Sequence, residues 1–155
     1  MSCHNLAIWN FDGDFHINKY EDAPEISSMT DELAYKHEIS KEKVNCLRLE
    51  TFIDNNQIDI HDYDMVNIDI AGFSSYYKII ESFGKYLNDI KYISYKKMAG
   101  FADSYIFIDQ DDRFLNNNGF YVNKECYNSK KDDYPSDSYF WINQKIYLEE
   151  KVSNA

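Results

Sequence analysis

The pattern of apolar and polar positions marks out elements along most of the chain. Leu6-Ala7-Ile8-Trp9 and Phe15-His16-Ile17 flank Asp12-Gly13. An Asp-Gly pair between apolar runs predicts a hairpin, because glycine accepts the positive φ of a tight turn. Residues 20–43 are polar and charged, and Thr30-Asp31-Glu32 suggests a short helix start within a surface loop. Val44 to Leu49 alternates as a strand does, Glu50 to Ile53 opens a short helix closing near Asn55-Asn56, and Met65 to Ile70 reads as a buried strand. Phe73, Tyr77, Ile80, Phe83 and Leu87 recur at steps of three and four, which predicts one long helix, and Ile90 to Tyr95 predicts the next strand. Asp109 is placed to cap a helix whose first turn holds Asp111 and Asp112 and whose core face holds Phe114 and Leu115. Asn118-Gly119 closes it. Phe120 to Cys126 and Tyr139 to Ile146 read as two strands joined by the charged loop Lys130 to Ser136.

From residue 44 onward the order is strand, helix, strand, helix, strand, helix, strand, strand. Such alternation predicts an α/β fold with a mostly parallel sheet, its last two strands forming an antiparallel hairpin. The 155 residues fit a single domain, 1–155, and 44 % hydrophobic content is too high for a disordered chain. In an open α/β sheet ligands bind beyond the carboxyl ends of the strands. Asp69, at the end of Met65–Ile70 and before Gly72, is therefore where chemistry is expected.

Charge and composition narrow the partners. A net charge of −11 opposes duplex nucleic acid and anionic membranes, and Lys96-Lys97 and Lys130-Lys131 are isolated pairs rather than a basic stripe. No apolar run reaches the length of a membrane span and no basic region precedes an apolar run at the start, so a soluble cytosolic protein is expected. Cys3, Cys46 and Cys126 are widely spaced with no C-x-x-C, the usage of free or buried thiols.

Other candidate chemistry reads more simply as structure. His61, Asp62 and Asp64 precede the Met65 strand while Asp69 follows it, so one shared cation site is not expected. Gly72-Phe73-Ser74-Ser75 sits at a strand-to-helix turn, but Tyr76 stands where a hydrolase nucleophile elbow needs a second glycine. Asp109, Asp111 and Asp112 lack the glycine and glutamate of a calcium loop. His4, His16 and His37 have no partners at triad or metal spacing. Tyr76, Tyr77, Tyr86, Tyr92 and Tyr95 are expected to pack in the core and its boundary, exposed members being able to stack on a sugar.

The ordered set Asn5-Leu6-Ala7, Asp12-Gly13, Leu49-Glu50-Thr51-Phe52-Ile53, Asn67-Ile68-Asp69-Ile70-Ala71-Gly72, Phe114-Leu115 and Gly119-Phe120, with Ser136-Asp137-Ser138-Tyr139-Phe140 near the end, resembles the FkbM-type methyltransferases from about residue 5 to residue 143. The resemblance implies a Rossmann-like class I fold, S-adenosylmethionine as methyl donor, and a hydroxyl of a glycan or small metabolite as acceptor. It implies Asp69 as the catalytic residue and Asn67 and Gly72 as cofactor contacts. The family's donor-binding glycine loop would lie before everything seen here, and none of Gly13, Gly72, Gly84, Gly100 and Gly119 forms a G-x-G. Ser74 stands where the family has a glutamate, and a residue near Lys96 where it has an acid.

Two expectations follow. One is a truncated or divergent methyltransferase domain, an incomplete Rossmann-like fold. The other is a catalytically inactive interaction module. In the usual class I sheet the absent strands lie beside Met65–Ile70, so that strand would become an edge open to pairing, as a homo-oligomer or as a subunit completing a partner.

Overall fold

The computed structural model describes residues 3–20, 39–70, 75–98, 105–123 and 136–153. The fold is α/β and the chain divides into two compact units, Met1–Ile58 with Ile70–Gly84, and Asp59–Asp69 with Lys85–Ala155.

The first unit holds strands β1 (Ala7–Ile8), β2 (Gly13–Tyr20) and β3 (Ile39–Leu47) in the order β1-β3-β2. The hairpin expected across Asp12-Gly13 does not form. Instead β3 lies between the two segments, antiparallel to β2 and parallel to β1, and Cys46 faces Ala7 on one side and Gly13 on the other. Gly13 has the positive φ foreseen for it (140°). A turn signal reports the bend of the chain, and here the bend leads onto a third strand rather than back onto the first. Exposed pairs Lys43–Asp14 (2.6 Å) and Lys19–Glu42 link β2 to β3 across the sheet.

Among the described residues this unit also holds the helices α1 (Leu49–Asn56) and α2 (Ser75–Glu81). The helix predicted to run from Phe73 to Leu87 is broken in two: α2 is followed at Gly84 by a 3-10 segment, Gly84–Asp89. Gly84 sits at φ 51°, the left-handed region that ends a helix. Ser82 Oγ donates to the Ile79 carbonyl at 2.5 Å, binding the last turn. Trp9, Tyr20, Cys46, Ile53, Tyr76, Ile80 and Phe83 are buried.

The second unit holds β4 (Met65–Ile68), β5 (Tyr92–Met98), β6 (Phe120–Val122) and β7 (Ser136–Asn143) in the order β4-β5-β7-β6. Among the described residues β4–β5 is the one parallel pair of this sheet, and β7 runs antiparallel to both β5 and β6. The antiparallel closing pair agrees with expectation. A mostly parallel sheet does not: both sheets are mixed, and the strand near Val44–Leu49 and the Met65 strand belong to different sheets. The alternation of element types carries no information on which strands share a ladder.

Strand register sorts this sheet into two faces. Ile68, Ile93, Tyr95, Trp141 and Phe120 lie on a buried face, with Leu115 of α3 (Tyr105–Asn117) also buried. Met65, Asn67, Tyr92, Ser94 and Phe140 lie on the other, where the Tyr92 and Phe140 rings stack at 5.2 Å. Asp109 is inside α3 rather than at its start. The helix already runs at Tyr105, so Asp111 and Asp112 fall in its interior, where Asp111 is buried. The apolar run Tyr139–Ile146 is also split. Its last residues enter a helix, α4 (Gln144–Ser153), because Asn143 ends the strand and caps the helix, its Oδ1 accepting from the Lys145 N–H at 3.2 Å. Buried Asn143 also donates through Nδ2 to the carbonyls of Asn88 (3.0 Å) and Ile90 (3.1 Å).

Candidate functional site

Of the predicted site residues, Asn67 lies in β4 and Asp69 just past its end. Among the described residues this strand has one ladder partner, β5, and it stands at the end of the strand order. The Tyr92 N–H donates to the Asp64 carbonyl at 3.0 Å. In a parallel ladder that bond sets the phase for the rest: Val66 and Ile68 turn their N–H and C=O groups to β5, and Met65, Asn67 and Asp69 turn theirs outward. The side chains follow the same alternation. Ile68 is buried and Val66 half-buried, whereas Met65, Asn67 and Asp69 are exposed, Met65 at 49 %.

Asp69, expected as the catalytic residue, therefore stands exposed just past the carboxyl end of a strand parallel to its neighbour. Asn67, expected as a cofactor contact, lies two residues before it on the same face, and its Oδ1 accepts a hydrogen bond from Ser94 Oγ at 2.6 Å. Gly72, the second expected cofactor contact, and Ser74 lie outside the described residues. Lys96 is paired with Ser138 in the β5–β7 ladder. In the first unit, the buried Tyr76 hydroxyl donates to the Ile70 carbonyl at 3.1 Å.

The acidic stretch before β4 is ordered by a 3-10 turn, Ile60–Asp62, capped by the Asp59 carboxylate, which accepts from the His61 N–H at 3.0 Å. His61, Tyr63 and Asp64 line one wall of a cleft of about 330 Å³ whose other wall includes Lys91, Lys145 and Glu150. Lys91 Nζ sits 2.7 Å from Glu150 and 3.7 Å from Asp64, and its hydrogen bond to Glu150 holds its pKa above the ordinary lysine value. Among the described residues no three His, Cys, Asp or Glu side chains converge as ligands for a metal ion, and no helix is long and apolar enough to cross a membrane.

Among the described residues a polar network missed by sequence reasoning centres on Arg48 in the first unit. Its guanidinium donates to Glu50 Oε1 (2.6 Å), the Asn10 carbonyl (2.9 Å) and the Glu81 carbonyl (3.1 Å). Its backbone N–H donates to Asp12 Oδ1 at 2.7 Å, and Thr51 Oγ1 donates to Asp12 Oδ2 at 2.8 Å. Asp12 thus supplies to the start of α1 the carboxylate that Arg48, the capping position, cannot. A Cβ at Gly84 would overlap the Glu50 carboxylate, so glycine there suits both the left-handed φ and the place that the end of the Glu50 side chain takes. The signal was available in the composition: Arg48 and Arg113 are the only arginines of the chain. Glu50 and Thr51, part of the segment that carries the family resemblance, are engaged here in holding the fold.

Compared with known proteins, the chain matches no family model, no curated protein and no solved structure.

Proposed function

We propose that the second unit is an interaction module that takes an extended polypeptide segment onto the outer edge of β4. The observation that carries this reading is the position of β4 at the end of the sheet order, with Met65, Asn67 and Asp69 exposed. Unpaired backbone groups in a row form a template for another strand, each new bond being directional and repeated at the ladder spacing. The edge is short, with Asp64 and Asp69 at its two ends, which is how an edge avoids indiscriminate aggregation while staying available for pairing. The test is amide shift mapping of the whole chain titrated with short strand-forming peptides. The largest shifts are expected at residues 65–69. Shifts centred elsewhere would overturn the reading.

A second reading is favoured by one specific observation, the exposed carboxylate of Asp69 beyond the end of β4, which is parallel to β5. This is the placement the FkbM-type resemblance implies for a group that orients an acceptor hydroxyl. Methyl transfer draws its rate mainly from holding donor and acceptor in line. On this reading S-adenosylmethionine binds near Asn67 and Asp69, and the acceptor is a glycan or small metabolite. Calorimetry separates the two: saturable heat with S-adenosylmethionine supports the enzyme, and a flat titration supports the module.

A further inference from the structure

The charges that bracket β4 identify the chemistry of its partner, an inference that rests on the edge-pairing reading. Asp64 and Asp69 flank Met65–Ile68 at its two ends, one on each face, with Asp62 and Asp59 just upstream. Asp64 is 83 % exposed at its side chain, and Lys91 lies 3.7 Å away but donates chiefly to Glu150 at 2.7 Å. Asp69 is exposed.

A second copy of this chain fits poorly. Antiparallel self-pairing through the outward groups of Met65, Asn67 and Asp69 sets Asp69 of one copy opposite Met65 of the other and no cation opposite either aspartate, and each copy carries a net −11. We infer that the segment received by β4 is an extended basic peptide, with Lys or Arg at two positions five residues apart opposite Asp64 and Asp69, and β-branched or small residues between. The five-residue step places the two cations on opposite faces of the added strand, as the aspartates are on β4.

The probes are two labelled synthetic peptides of about eight residues, built on a Val/Thr alternation. One carries Lys at two positions five apart, and the other carries Glu at the same positions. Fluorescence anisotropy with the full chain at low salt is expected to show the Lys peptide binding about tenfold tighter or better, with the advantage shrinking as salt is added. Amide shifts should centre on 65–69. The double variant Asp64→Lys/Asp69→Lys alters exposed side chains without touching the ladder, and is expected to reverse the order of the two peptides. Equal affinities, or no reversal in the double variant, with shifts still at 65–69, would overturn the basic-partner inference and leave edge pairing standing. Self-association through 65–69 in preference to either peptide would do the same. No shift at 65–69 with any peptide would overturn both.

Discussion

Two stretches of this chain treat their polar groups in opposite ways. Around Arg48, the guanidinium, the Asp12 and Glu50 carboxylates and the carbonyls of Asn10 and Glu81 are joined at 2.6–3.1 Å within one unit. Along β4, the backbone of Met65, Asn67 and Asp69 faces away from the ladder, and the side chains at those positions are exposed. The first stretch contains the denser cluster of charged residues, and taken alone it resembles a catalytic centre. Its groups are occupied with one another, and a network so satisfied fixes a local conformation. The second has fewer charges and a plainer sequence, yet it leaves directional groups in a row with nothing from the described residues against them. The contrast separates polar groups bound up in the fold from backbone groups that nothing among the described residues engages.

The largest expected effect compares adjacent positions of β4. Val66→Pro removes an N–H aimed at β5 and should destabilise by about 3 kcal/mol or more, whereas Asn67→Pro removes one aimed outward and should cost markedly less. Urea unfolding of the two variants checks the ordering, and equal losses would mean that the outer side of β4 is also bonded. Next comes Arg48→Ala, expected to cost about 2–3 kcal/mol, since it removes three charge-assisted hydrogen bonds, to Glu50 Oε1 and to the carbonyls of Asn10 and Glu81, in a half-buried setting. Gly84→Ala should cost about 2 kcal/mol, part from left-handed strain and part from pushing Glu50 off Arg48. In the Arg48→Ala background that second part disappears, so a double-mutant cycle should show coupling.

A smaller effect concerns the buried face of the second unit. Burial, then the charges of Asp111 and Asp112, raise the pKa of the Tyr95 hydroxyl above its ordinary value of 10.0. The folded chain keeps a proton that the unfolded chain releases above that pH. Stability is therefore unaffected by the titration of this group below about pH 10 and falls above it, by up to about 1.4 kcal/mol for each further pH step. Lys91, raised by Glu150, adds loss in the same direction above its ordinary 10.5. Tyr95→Phe, which also removes the hydroxyl's hydrogen bond to Asp112 Oδ1 (3.4 Å), should flatten the alkaline limb of a stability–pH curve while lowering stability near neutrality. The smallest effect is Asp69→Asn, which should change stability by less than about 0.5 kcal/mol while weakening whatever binds at the edge. A large loss of stability would place Asp69 with Arg48 as a structural group.

Much of this was legible in the sequence where a signal is local. Strands near Val44, Met65 and Ile90, helix α1, the end of α3 at Asn118-Gly119 and the antiparallel pairing of the last two strands all lie close to where periodicity and glycine place them. The position of Asp69 just past the end of a strand was legible because a strand followed by an acid and a glycine is itself local information. Departures arose where the deciding interaction is distant. The insertion of β3 between β1 and β2 depends on a segment about thirty residues downstream of the Asp12-Gly13 turn. The break at Gly84 depends on Glu50, more than thirty residues upstream. Asn143 was a readable helix cap inside an apolar run, overshadowed by the tyrosine, phenylalanine and isoleucine around it.

The central claim, that β4 presents an open edge, is tested most directly by residue-resolved amide exchange of the dilute chain. The account predicts slow exchange at Val66 and Ile68, whose N–H groups point to β5, and at Arg48 and Glu50, whose N–H groups are bonded to Asp12 (2.7 Å) and to the Ser82 carbonyl (3.0 Å). Met65 and Asn67 should exchange far faster than any of these. Protection of Met65 and Asn67 equal to that of Val66 and Ile68, in a chain shown to be monomeric, would contradict it.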